Sequence, residues 1–180
     1  MFFGLLLALA VVATACSDDP DTAERVPIRS DVSAERCLVR LHGRSGTGSV
    51  PEERDGYAVV SPTGNDPIDG GFQWLYAEPA DLESAIGEVE GWLDEVGCDT
   101  VVLNGFSNGG AFAAKLYCEG ETFGERVVGV VVDDPVPDRS VVDCAPAEGV
   151  DVALYWTGGL TEATAGTPCA DLGWTCDGEE

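Results

Sequence analysis

Val101-Val-Leu-Asn-Gly-Phe-Ser-Asn-Gly-Gly110, followed at once by Ala111-Phe-Ala-Ala114, is a β-branched apolar run that breaks into glycines around one serine and resumes in small residues. The stretch from Thr100 to Phe106 reads as a buried strand, and the alanines read as a helix packed close on a sheet. Ser107 therefore stands at a strand-to-helix turn in a Gly-x-Ser-x-Gly frame, the arrangement of a nucleophile elbow. A serine in that turn takes a strained backbone, so the positions two before and two after it have no room for a side chain; Gly105 and Gly109 meet that need. The turn lifts the hydroxyl above the carboxyl end of the strand and aims the Asn108 N–H at the place where an oxyanion would develop.

Working outward, the elements alternate. Cys37-Leu-Val-Arg-Leu-His-Gly43 is a short strand that runs into the glycine-bearing loop Arg44-Ser-Gly-Thr-Gly48, and Tyr57 to Ser61 is a second core strand closed by Pro62-Thr-Gly64. Asp81 is read as the cap of a helix whose apolar residues Leu82, Ile86, Val89, Trp92, Leu93 and Val96 keep helical spacing, with Gly97 as its stop. On that spacing Trp92 belongs to the core. Val127–Val132 and Val150–Trp156 are near-continuous apolar runs, as parallel strands covered on both faces require. The order strand, strand, helix, strand, helix, strand, strand predicts an α/β fold, a three-layer sandwich with a mostly parallel sheet and helices on both faces. The sequence contains no internal repeat.

Leu41-His-Gly43, Gly56-Tyr-Ala-Val-Val-Ser-Pro62, Phe72-Gln-Trp74 and Gly105-Phe-Ser-Asn-Gly-Gly110 together carry a resemblance to the α/β-hydrolase superfamily, and within it to secreted esterases of the carboxylesterase, feruloyl-esterase and polyhydroxyalkanoate-depolymerase type. The elbow is the most specific of these pieces, and the resemblance runs from residue 37 to residue 162. It implies a serine hydrolase acting on carboxylic esters through an acyl-enzyme on Ser107, with the second oxyanion donor on the Arg44 backbone N–H. His42 precedes the serine, so its expected work is to brace that loop and not to act as base. For the triad acid the resemblance points just past the last apolar strand, to Glu162, with Asp134 of the pair Asp133 and Asp134 as the competitor; all three also fit ordinary loop carboxylates. The resemblance also narrows the disulfides, because its third and fifth strands are neighbours with Cys37 and Cys98 at their amino ends. Those two are expected to pair, Cys118 is placed to meet Cys144, and Cys169 and Cys176 would close a surface loop. No cofactor and no metal is implied: there is no Cys-x-x-Cys, and the single histidine is elsewhere. Trp74, Tyr76 and the loop Asn65–Tyr76 either line an acyl or aryl pocket or serve as packing aromatics.

The chain of 180 residues is long enough for one domain with a real core. Met1 to Ala15 is an unbroken apolar stretch, too short to span a bilayer, and reads as an export signal, although no Lys or Arg precedes Arg25. Val12-Ala-Thr-Ala-Cys16 resembles a lipobox, which makes Cys16 a candidate lipidated N-terminus; residues 16–36 then form a polar, acidic tether and residues 37–180 the folded domain. Seven cysteines minus Cys16 leave six, an even number that suits an oxidising compartment. The protein is thus expected to be exported, as a cell-envelope lipoprotein or in secreted form. A net charge of −24 argues against nucleic acid and against an anionic membrane surface as partners, leaving a small or polymeric ester as the ligand and a lipid anchor as the membrane contact.

Histidine is the missing part. The one histidine of the chain is His42, and none lies between Ser107 and Glu180, where this order of triad needs its base. Three readings follow: an esterase shortened at its C-terminus, with no further strand or closing helix after Glu162; a surface-tethered binding module that has lost its base; or a structural lipoprotein in which the elbow is an inherited turn. On each of them the 180-residue chain by itself is expected to be a poor catalyst.

Overall fold

The computed structural model describes residues 23–136, 144–156 and 175–178. In chain order the elements are β1 (Arg36–Leu41), β2 (Ser49–Arg54), β3 (Tyr57–Ser61), β4 (Asp66–Ile68), β5 (Gly71–Gln73), α1 (Pro79–Val96), β6 (Thr100–Phe106), α2 (Asn108–Cys118), β7 (Val127–Asp133), β8 (Asp151–Trp156) and β9 (Thr175–Gly178). Seven strands form one sheet in the order β2-β3-β1-β6-β7-β8-β9, while β4 and β5 make a separate hairpin. From β3 to β9 every pairing is parallel; β2 alone runs antiparallel, on the outer side of β3.

The parallel strands sit where apolar β-branched runs predict them, because such runs are stable only when both neighbours complete their backbone hydrogen bonds. Two strands of the seven-stranded sheet carry no such signal. In β2, Ser49-Val-Pro-Glu-Glu-Arg54, the proline and the charges fit an edge position, where one side needs no partner and charge discourages pairing with another molecule. β9 overturns the expectation that no strand follows Glu162. Thr175 lies opposite Ala153 and Cys176 opposite Leu154, so the sheet extends one strand beyond β8. Its four residues, Thr-Cys-Asp-Gly, are too few and too polar to announce themselves.

α1 begins earlier than the capping pattern suggests. Glu78 is its N-cap and Pro79 its first residue, a position suited to the fixed proline φ, whereas Asp81 lies inside the first turn. Gly97 ends it in a left-handed conformation, φ 79°, with its N–H donating to the Leu93 carbonyl at 2.9 Å. Both helices bury their apolar stripes in a single core with Val39, Leu41, Val60, Leu103 and Val132. Trp92 is at its centre, fully buried. The other face of the sheet carries Leu38 beside Val102 and Arg40 beside Asn104, and among the described residues no helix covers it.

Disulfides join Cys37 to Cys98 and Cys118 to Cys144. The first closes the start of β1 onto the end of α1 across a separation of 61 residues, a loop long enough to stabilise the fold by about 4 kcal/mol on chain-entropy grounds. Cys16 and Cys169 lie outside the described residues, as does any statement about the Cys176 side chain. The stretch read as a tether is packed on the domain from Arg25 onward. Arg25 pairs with Glu88 and donates to the Gly64 carbonyl at 3.0 Å, Ser30 N–H donates to Glu95, and Val26, Val32 and Ala34 press on the core. The packed body therefore extends upstream of residue 37.

Candidate active site

Ser107 sits between β6 and α2 with φ 54° and ψ −116°, a conformation that L-residues seldom adopt. Its backbone is held from both sides: Ser107 N–H donates to the Asp133 carbonyl at 2.9 Å, and its own carbonyl accepts from Ala111 N–H at 3.0 Å and Val136 N–H at 3.2 Å. That clamp is what keeps the strained turn in place. The two flanking glycines are steric necessities. A Cβ at Gly105 would overlap the Gly109 carbonyl, and one at Gly109 would overlap the Leu41 and His42 carbonyls, because the first turn of α2 lies directly on the end of β1. Ser107 Oγ makes no hydrogen bond among the described residues.

The loop after β1 reaches the elbow through Gly43, whose α-carbon is so placed that an added Cβ would lie 3.2 Å from the Ser107 Cβ. His42 holds this loop. Gly64 N–H donates to its Nε2 at 3.1 Å, which leaves the ring proton on Nδ1, and Nδ1–H donates to the Gly43 carbonyl at 2.7 Å. Both ring nitrogens are engaged by backbone, and burial pulls the imidazole pKa below its ordinary value, outweighing the opposite pull of the Gly43 hydrogen bond. The Gly43 carbonyl also accepts from Gly46 N–H at 3.0 Å. Since a trans peptide points its C=O and N–H in opposite directions, the Arg44 N–H faces away from that bonded side. Neither Arg44 N–H nor Asn108 N–H has a protein acceptor among the described residues.

Sequence reasoning missed what the Asn108 side chain does. Its Oδ1 accepts from Trp74 N–H at 2.7 Å and its Nδ2 donates to the Trp74 carbonyl at 3.1 Å, while the Trp74 indole N–H donates to the His42 carbonyl at 3.1 Å. Three loops, after β1, after β5 and after β6, are thereby tied into one unit. Trp74 and Tyr76 are buried and stack on Phe112 at 4.8 and 5.4 Å, so they are packing aromatics that support the elbow from below. No local signal marks Asn108 for this role, because its partner is 34 residues away.

The carboxylate candidates separate. Asp134 follows β7 with φ 42° and donates its N–H to the Tyr155 carbonyl at 2.9 Å. Asp133, one residue earlier, has its carboxyl pKa raised by burial and, secondarily, by the charge of Asp134. Glu162 lies outside the described residues. Among the described residues no group of His, Cys, Asp and Glu is arranged to hold a metal ion.

No protein-family model and no curated protein matches the sequence. Solved structures do. A carboxylesterase from Bacillus cereus superposes with a TM-score of 0.55 at 21% identity, covering 84% of this chain and 81% of its own. A CIB-like hydrolase from Thermoplasma acidophilum gives 0.53 at 16% identity, covering 82% and 76%. The chain has the α/β-hydrolase fold. An S-formylglutathione hydrolase from Staphylococcus aureus, at 0.52 and 15% identity over 83% and 74%, agrees with this. In that fold Ser107 stands at the turn between β6 and α2.

Proposed function

We propose that the protein is a serine ester hydrolase site built around Ser107, with the Arg44 and Asn108 N–H groups as the oxyanion donors. Ser107 Oγ would add to the ester carbonyl, the alcohol would leave as the acyl-enzyme forms, and water would release the acid. The observation that supports this reading is a strained, clamped serine in a glycine-lined turn with the Gly43 loop against it, and two N–H groups, of Arg44 and Asn108, that meet no protein acceptor among the described residues. Both triad acids remain part of the proposal: Asp134 is supported by its position just after β7, where Asp133 pairs with Phe106, and Glu162 by the resemblance alone. Two disulfides suit export to an oxidising compartment, with residues 1–15 as the signal and Cys16 as the lipid anchor; among the described residues no helix is long and apolar enough to cross a membrane.

A specific observation favours a second reading for the 180-residue chain taken alone: the one histidine is committed to loop bracing through both ring nitrogens, so the elbow has no imidazole base and the chain acts as a surface-tethered binding module. One experiment separates the two. Removal of a triad member still leaves about 10³ to 10⁴ of rate over water in a well-studied serine protease, so slow turnover of an activated aryl ester is expected, and imidazole supplied in solution should accelerate it. Both rates should fall to background in Ser107→Ala. Equal imidazole-dependent hydrolysis by the two proteins would show that Ser107 is no nucleophile.

A further inference from the structure

The sheet face opposite the two helices holds a cavity of about 500 Å³ beneath the His42-Gly43 loop, lined by Arg40, Thr47, Ser61, Asn104, Phe106 and Asp133, among others. Nothing in the reading of Ser107 as nucleophile uses it. Its lining comes from neighbouring strands in register: Arg40 of β1 lies beside Asn104 of β6, and Phe106 of β6 beside Asp133 of β7. Side chains alternate across a strand, so these residues share the face that the helices leave open.

Arg40 is the one cation among the described residues lining the cavity, and it has no ion-pair partner among them. Arg29, Arg36 and Arg44 likewise make no ion pair among the described residues, but Arg40 alone of these four lines the cavity. Arg25 takes Glu88, Arg54 takes Glu52, Lys115 takes Glu119, and Arg126 takes both Glu90 and Asp94. Apart from Asp133, two strands away, the polar side chains that share the lining with Arg40 are neutral, hydroxyls from Thr47, Ser49 and Ser61 and the Asn104 amide. The His42 ring also borders the space but is neutral, both nitrogens being held by backbone. Phe106, half exposed, offers an apolar wall.

We propose that this cavity is a binding site for a small monocarboxylate, its carboxyl group held by the Arg40 guanidinium with the neighbouring hydroxyl and amide groups, and its apolar body lying on Phe106. A guanidinium matches a carboxylate with two parallel hydrogen bonds. A single negative charge fits better than a dianion such as phosphate, because the Asp133 carboxylate lines the same space two strands away and the whole molecule repels anions. Asp133 thus sets the charge limit of the site. Gly43 and Phe106, which border both the cavity and Ser107, put the occupant beside the elbow.

Calorimetric titration of the full chain with phenylacetate, and with phenylacetamide as its neutral isostere, tests the assignment. The acid should bind saturably and at least about 10-fold more tightly than the amide, the difference that one charged hydrogen-bonded pair makes. Arg40→Gln should lose that preference, Arg40→Lys should retain part of it, and Asp133→Asn should tighten the acid several-fold. The imidazole-dependent hydrolysis reads Ser107 and this titration reads Arg40, so that failure of the nucleophile assignment and failure of this one are told apart. Circular dichroism of each variant confirms that the sheet is intact. Equal binding of acid and amide, undiminished binding in folded Arg40→Gln, or no saturable binding of phenylacetate overturns the proposal.

Discussion

At the scale of single residues, His42 shows how one side chain can fix a loop through backbone partners alone. It accepts from Gly64 and donates to Gly43, and so fixes the loop that brings Gly43 against Ser107. Because burial lowers its folded pKa, the unfolded chain binds the proton first as pH falls. The stability that neutral His42 contributes is therefore complete above pH 6.5, its unfolded value, and is lost as the pH drops below that toward the folded pKa. Thermal melts from pH 8 to pH 5 should show a steeper fall for wild type than for His42→Asn. At pH 8 the variant should already be less stable by about 1–3 kcal/mol, the cost of leaving buried backbone groups unpaired. Parallel curves offset by a constant would mean that His42 does not titrate in that window. Position alone, one residue before a glycine and upstream of the serine, pointed to loop bracing for His42; the two backbone partners that give it this role lie on different loops and leave no mark on local sequence.

At the scale of elements, the first turn of α2 lies so close to the end of β1 that glycine is the only residue that fits at 109. Gly109→Ala gains at most about 1 kcal/mol in helix propensity, but its methyl group would drive into two backbone carbonyls that cannot move without opening the sheet. A net loss of about 2–3 kcal/mol or more in urea unfolding is expected. Gly87 provides the opposite case. It lies within α1 with open space around its α-carbon, so Gly87→Ala should stabilise by about 0.5–1 kcal/mol in the same assay. Parallel core strands were legible because a β-branched run has few alternatives to burial. β2 and β9 were not legible, since an edge strand needs hydrogen bonds on one side only and tolerates Pro51, three charges or a Thr-Cys-Asp-Gly sequence.

At the scale of the molecule, charge dominates. The ion pairs among the described residues involve mostly exposed side chains, each contributing at most about 1 kcal/mol, whereas an excess of 24 negative charges repels itself in every compact state. Added salt screens both, with the Debye length falling from about 10 Å at 0.1 M to about 3 Å at 1 M, and repulsion is the larger effect. The melting temperature should rise between 0.05 and 1 M sodium chloride; a fall would show that the Arg25–Glu88 and Arg126–Asp94 pairs outweigh the net charge.

Sequence by itself determined the strand-turn-helix at Ser107, the run of parallel core strands, the helical stripe around Trp92 and the acidic surface. Each of these is written in residues close together along the chain, where periodicity, glycine placement and composition act. Only the tertiary structure decided that Asn108 and Trp74 lock the elbow to its neighbouring loops, that both described helices share one face, that residues from Arg25 onward belong to the packed body, and that Arg40 borders a cavity with no ion-pair partner among the described residues. Those facts depend on which groups meet across tens of residues, and a hydrogen bond or an ion pair is set by distance in space, which no local pattern records.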